Sequence, residues 1–187
     1  MGTKENIINK IKKARSFTNI DLPILQVNEQ PNPRKKKEIF MNAVIEAGGK
    51  VLLGNKNISV HSFIPDNAII IEGNKSQLTD DEIKKMAKGN QPIAAIFTST
   101  LAVAENGATW LSDDDVGNRV LPFVSEHVII FVKEYDIIWD MHQAYKKLEW
   151  NFGYGVFVAG PSKTADIEQN LVIGAHGPVK FTVVIYS

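Results

Sequence analysis

An α/β protein with a largely parallel sheet is what this chain predicts, on three observations. Helical and strand-like segments alternate through the first half and again at the end. Short apolar runs rich in Val and Ile, such as 128–132 and 181–186, read as buried strands. Consecutive strand signals with no helix between them are confined to the middle, which places antiparallel strands there.

The elements follow in order. Residues 4–16 carry Ile7, Ile8 and Ile11 among Lys and Asn, a helical stripe with a basic outer face. The stretch 22–29 is irregular or extended, and Pro31-Asn32-Pro33 punctuates the chain. A helix over about 34–47 turns Ile39, Phe40, Ala43, Val44 and Ala47 inward and stops at Gly48-Gly49. The Arg34-Lys35-Lys36-Lys37 run is its solvated start. Strands follow at 51–53 and 68–71, with a short element at 58–63 between them. A short helix over 80–88 is capped by Thr79 or Asp80. After a strand at 93–98, residues 101–111 form two strands joined by the Asn106-Gly107 turn. An acidic loop spans 112–118. After the strand at 128–132, Asp136 caps a helix that runs to about 150. Strands at 154–159 and 181–186 complete the set, and a helix carrying Ile167 and Leu171 one turn apart lies between them.

With 187 residues the expectation is one domain, with N-terminal helices over 1–48 and an α/β core over about 49–187. An apolar fraction of 44% suffices for an ordinary core. Lys+Arg and Asp+Glu are equal at 21 each, so the chain lacks the dominant basic field of non-specific nucleic-acid binding. It contains no cysteine, which excludes disulfides, thiolate catalysis and sulfur-held zinc or iron–sulfur clusters within it. No apolar run reaches the roughly 18 residues of a membrane span. The polar start M-G-T-K-E-N gives no signal-peptide core, and the expected location is the cytoplasm.

The segment 160–178, G-P-S-K-T-A-D-I-E-Q-N-L-V-I-G-A-H-G-P, concentrates the candidate chemistry. Read as a strand, a tight turn and a helix, it places Ser162, Lys163, Thr164, Asp166 and Glu168 at a helix N-terminus, whose free N–H groups suit a carboxylate or phosphate. A capped crossover helix with solvated polar residues explains the same pattern equally well. A nucleotide-binding loop is rejected, because two residues separate the second Gly from Lys-Thr. Glu105, before Asn106-Gly107 and after the apolar 101–104, is a candidate acid, base or nucleophile if partly desolvated. A plain Asn-Gly turn is the commoner source of such a pattern. His176, between Gly174 and Gly177-Pro178, is a candidate proton carrier or a satisfied loop histidine. His127 is read as structural. Asp113-Asp114-Asp115 converge too poorly for a metal, and none is expected. Arg119 can hold a carboxylate with both arms of its fork.

On these residues the chain resembles the LUD-domain family. Segment 160–178 is similar to the family signature G-P-S-R-T-A-D-I-E followed by L-V-x-G-x-H-G-P, with Lys163 in the place of Arg. A-E-N-G-A at 104–108 stands where the family has A-E-T-G-T, so Asn106 and Ala108 replace two threonines. Arg119, Leu121-Pro122 and His127-Val128 approach its pattern of Arg, then Leu-Pro, then His-Ile. The similarity covers about 93–187. It implies a three-layer α/β/α fold with a mixed central sheet, like that of the sugar-isomerase (NagB), ribose-phosphate isomerase and CoA-transferase group. It also implies oxidation of L-lactate to pyruvate beside A- and B-type iron–sulfur partner proteins, which would carry the clusters while this chain carries none. A small carboxylate ligand would then meet Arg119 or the helix end, with Glu105 or His176 handling protons and Asn106 and Gly107 beside them. Two other readings stand: a CoA-transferase-like enzyme, whose glutamate motif Glu105-Asn106-Gly107 resembles, and a non-catalytic assembly subunit.

Overall fold

A computed structural model describes residues 3–14, 33–55, 58–148, 153–167, 170–174 and 176–187. Its contacts separate Met1–Gln30 from Pro31–Ser187. The first unit contributes α1 (Thr3–Ala14). The second begins with α2 (Pro33–Glu46) and β1 (Lys50–Gly54), then a 3-10 turn at Val60–Phe63, β2 (Ile69–Glu72), a second 3-10 turn at Gly73–Lys75, α3 (Asp80–Ala87) and β3 (Ile93–Ser99). Next come β4 (Ala102–Val103), β5 (Ala108–Ser112), α4 (Asp113–Val116), α5 (Leu121–Val124) and β6 (His127–Lys133). The 3-10 turn Glu134–Asp136 leads to β7 (Ile137–Ile138), α6 (Met141–Lys147), β8 (Gly155–Val158), β9 (Lys163–Ile167), β10 (Asn170–Ile173) and β11 (Lys180–Tyr186).

Five strands form a parallel sheet in the order β1-β11-β6-β3-β2. The antiparallel strands of the middle form a sheet of their own, β7-β4-β5-β8, in which β4 also pairs parallel with β7. The α/β class with parallel and mixed sheets is therefore as the sequence predicts.

Period-two alternation divides the parallel sheet between two cores. Val128, Ile130, Val132, Phe181, Val183 and Ile185 face one side, where Phe40 and Val44 of α2, Ile83 of α3, and Val116 and Leu121 close over them. Ile129, Phe131, Val184 and Tyr186 face the other, under the segment that includes Ile58, Val60, Phe63 and Ile64. Fully burying each large aliphatic side chain contributes about 1.5–3 kcal/mol, so the doubly covered centre of the sheet is its most stable part. In α2, Phe40 and Val44, four residues apart, are fully buried, whereas Ile39 is exposed, contrary to the inward face predicted for it. It lies about 100° round the helix from Phe40.

Three local expectations are corrected. The acidic loop contains one helical turn, α4, because Asp115 Oδ2 accepts from both the backbone N–H and the hydroxyl of Ser112, a capping box. The helix expected from Asp136 starts later. Residues 134–138 form a 3-10 turn and β7, and Asp140 is the cap, its Oδ1 accepting from Gln143 N–H at 2.8 Å. The helix expected after Gly160 is absent. Its residues form the antiparallel ribbon β9-β10, closed at its base by Gly174 N–H donating to Ser162 O at 3.0 Å. Thr, Ile and Val dominate its apolar positions, and such β-branched residues favour strands over helices. The helix N-terminus assigned to Ser162, Lys163, Thr164, Asp166 and Glu168 is thus replaced by strand, and Glu168 itself lies outside the described residues.

Candidate functional site

Two of the sequence-selected stretches meet on one helix. The β4–β5 turn carrying Glu105, Asn106 and Gly107 lies against the last turn of α2. Gly107 has φ +69°, and a Cβ there would fall 2.7 Å from the Val44 backbone nitrogen. Only glycine allows that left-handed turn at so close an approach. Just past the end of α2, Gly160, with φ +72°, presses on Ala47, and a Cβ on it would fall 2.7 Å from Ala47 O. The pairing of β5 with β8 explains the meeting. Thr109 is opposite Val158, so the chain leaving β8 emerges beside the β4–β5 turn.

Within that cluster the side chains have partners. Met141 N–H donates to Glu105 Oε1 at 2.7 Å, so the carboxylate sits at the N-terminus of α6. Asn106 Oδ1 accepts from Ala108 N–H at 3.0 Å, an Asx turn that takes over the work of closing the hairpin. Ser162 N–H donates to Pro178 O at 2.8 Å, which draws the end of the signature, with exposed His176 and half-buried Gly177, back onto its beginning. Lys163 lies over Gly48, its Nζ about 3.4 Å from where a Gly48 Cβ would be. Thr164 and Asp166 contribute backbone to β9.

Arg119 is not in this cluster. Its Nε and Nη2 donate to Asp113 Oδ1 and Oδ2, both at 2.7 Å, and its guanidinium lies 5.1 Å from the centre of the Tyr154 ring. Hydrogen bonding to Arg119 holds the Asp113 carboxyl below its usual range, and burial raises the Tyr154 phenol. The fork expected to hold a ligand carboxylate is filled by the protein's own. Asp113 adjoins the Ser112 end of β5, while Glu105 adjoins the other end. Five strand residues at about 3.3 Å each put the two roughly 16 Å apart. A single small ligand cannot touch both.

Sequence reasoning passed over the cavity beside Gly48. It encloses about 550 Å³ at the N-terminal edge of the parallel sheet. Lys50, His127 and Lys180 open the adjacent strands β1, β6 and β11 and all line it. Leu52, Phe63 and Phe181 supply apolar wall. His127 is 6% exposed and stacks edge-on to Phe63, with ring centres 6.1 Å apart. Its Nε2 is 2.8 Å from Thr182 Oγ1, whereas Nδ1 is buried and has no hydrogen-bond partner among the described residues. Burial, then the charges of Lys180 and Lys50, pushes the imidazole pKa down to about 4, so it is neutral at pH 7. The structural role expected of His127 accounts for one nitrogen and leaves the other. The signal was present in the sequence as a basic residue directly before three apolar runs, Lys50-Val51-Leu52, His127-Val128-Ile129 and Lys180-Phe181. It has meaning only once those runs are parallel neighbours. Among the described residues, no group of three or more His, Asp or Glu could hold a metal ion, and no helix is long and apolar enough to cross a membrane.

Comparison with known proteins gives the same family as the motifs. The family description "LUD domain" matches residues 37–186. Lactate utilization protein C of Oceanobacillus iheyensis is 32% identical over 112 residues, 54% of this chain and 48% of that one. The protein of the same name in Bacillus subtilis is 34% identical over 116 residues, 58% of this chain and 47% of that one. The chain thus spans about half the length of these curated relatives. The crystal structure of a DUF162-family protein from Deinococcus radiodurans superposes with a TM-score of 0.59 over 84% of this chain and 100% of that one, at 12% identity, which speaks to the fold. With a family match across most of its length, two signature stretches seated on one helix and the expected α/β architecture, the chain belongs to the LUD-domain family.

Proposed function

We propose that this LUD-domain protein is a component of an L-lactate utilization system and takes part in oxidising L-lactate to pyruvate together with A- and B-type iron–sulfur partner proteins. The observation that carries the reading is the meeting of its two signature stretches, 104–108 and 160–178, at the C-terminal end of α2 beside a cationic rim. Its relatives' names supply the pathway. The oxidation removes two electrons and two protons from lactate. This chain has no cysteine to ligate a cluster, so the electrons would leave through partners. Here the chain binds the small carboxylate and presents it. Lys163 would face the carboxylate at the rim, and exposed His176 would be the group free to exchange a proton.

The CoA-transferase-like reading has less support, since the Glu105 carboxylate that would attack a thioester is engaged by Met141 N–H. An assembly role without chemistry remains the alternative outcome of the test. That test is thermal stabilisation of the purified protein by L-lactate, D-lactate, pyruvate, CoA and acetyl-CoA, with Lys163→Gln and Glu105→Gln in parallel. A ligand that binds only the folded state raises the melting temperature, by the equivalent of about 2.7 kcal/mol at one hundred times its Kd. A shift with lactate or pyruvate that Lys163→Gln weakens supports the reading. A shift with CoA compounds alone, lost in Glu105→Gln, replaces it. No shift with any of them, joined to capture of iron–sulfur partners, reduces the chain to an assembly subunit.

A further inference from the structure

The cavity at the N-terminal edge of the parallel sheet is too large for lactate. A three-carbon hydroxy acid has six non-hydrogen atoms. Even at the roughly 30 Å³ that each water molecule occupies in the liquid, six such atoms fill about 180 Å³. That is a third of the about 550 Å³ available. Pockets of roughly 300–1,000 Å³ are those that enclose ligands of ordinary cofactor or drug size. Among the described residues the lining has two ammonium groups, Lys50 and Lys180, and no carboxylate. Neither ammonium is in an ion pair among the described residues. Lys163 adds a third cation over neighbouring Gly48. Inside, the one buried polar side-chain atom without a partner among the described residues is His127 Nδ1. Leaving such an atom unpaired carries a desolvation cost that a ligand can recover.

We infer that this cavity binds an amphiphilic organic anion of about 15–25 non-hydrogen atoms, its anionic group between Lys50 and Lys180, its apolar body on Leu52 and Phe63, and a polar atom on His127 Nδ1. The Thr182 hydroxyl can donate to Nε2 or accept from it. When it donates to Nε2, Nδ1 carries the proton and becomes a donor toward the ligand. The imidazole acts as a hydrogen-bonding group and not as a charge, and the two lysines supply the attraction. The site adjoins the rim at Lys163 invoked for lactate, and the inference does not require the lactate reading.

The probe is 8-anilinonaphthalene-1-sulfonate, an aromatic sulfonate of the stated size, against N-phenyl-1-naphthylamine, the same body without the charge. Binding is read by fluorescence and by the ¹⁵N shifts of the His127 ring. The expected result is saturable one-to-one binding of the sulfonate, at least about ten-fold tighter than the neutral compound. The double variant Lys50→Gln/Lys180→Gln removes that advantage while leaving the neutral compound unaffected. Ser62→Trp, which fills the cavity, abolishes both, and the His127 shifts move only with the wild type and the sulfonate. Melting curves confirm that each variant is folded, and Lys50→Gln alone serves if the double variant is not. Equal binding of the charged and neutral compounds, or sulfonate binding that survives both the double variant and Ser62→Trp, overturns the inference. Displacement of the sulfonate by L-lactate at about its own Kd also overturns it, while leaving the lactate reading intact. Tight sulfonate binding with no stabilisation by lactate or pyruvate has the opposite meaning.

Discussion

Arg119 and the Lys50–Lys180 pair both present cations at a sheet edge, yet they differ in what answers them. Arg119 has both arms on Asp113 and its face on Tyr154. At the other sheet, two ammonium groups and a half-paired imidazole open onto a cavity with no acid in its walls. The family pattern and the chemistry of arginine both pointed to the first. The structure makes the first a clamp between α4 and the start of β8, and leaves the second electrostatically incomplete. A folded chain pairs the charges it uses for itself, so the unpaired ones are the better guide to ligands.

The comparison can be broken most forcefully at the clamp. Gly155 opens β8 directly under the Trp110 ring, and any Cβ would run into the indole. Gly155→Ala is expected to cost about 1–3 kcal/mol in urea denaturation, by overpacking, and to leave the sulfonate affinity of the cavity unchanged. Loss of both would mean that the two regions are not independent.

The second effect is acid sensitivity at the cavity. The His127 pKa is lowered in the folded state to about 4 from 6.5, so the unfolded chain binds the proton more readily between those values. Its contribution is complete above about pH 6.5 and declines as pH falls toward 4, by up to about 3 kcal/mol. The groups that face the ring are Lys50 from β1, Lys180 and Thr182 from β11, and Phe63 from the 3-10 turn. Stability curves of wild type and His127→Gln should converge as the pH drops through that window. Parallel curves would remove His127 from the acid response.

Smaller still is the Lys50→Gln/Lys180→Gln pair. At pH 7 without ligand it should change stability by less than about 0.5 kcal/mol, as surface substitutions do, and raise the His127 pKa measured by NMR. An unchanged pKa would mean that the lysines do not face the ring. Arg119→Gln should give the smallest change, reduced further by salt, because the pair is solvent-exposed. A large, salt-independent loss would make the clamp structural.

The fold was legible wherever one residue pattern had one physical solution. The short apolar, β-branched runs at 93–98, 128–132 and 181–186 read as buried strand, and Thr79 with Glu82 forms the capping box that starts α3. It was illegible where two solutions shared a pattern. Ile167 and Leu171 sit at helical spacing, yet their segments pair antiparallel as β9 and β10. The site was half legible for a related reason. Glu105 and Gly160–Lys163 announce themselves by local motif, and the structure seats them on one helix. The cavity's Lys50, His127 and Lys180 are 53 to 130 residues apart in sequence and become neighbours only through parallel pairing, which leaves no local trace.

The order β1-β11-β6 has a consequence for synthesis of the chain. β11 lies between a strand made near residue 50 and one made near residue 130, so the sheet has a vacant internal position until residues 180–186 have been translated. At ~5–20 residues per second, the ribosome takes roughly 6–25 s to pass from β1 to β11. During that interval the apolar runs of β1, β3 and β6 have no complete sheet to join. The protein is then most exposed to chaperones and to aggregation, and a ribosome stalled short of residue 180 releases a chain without its keystone.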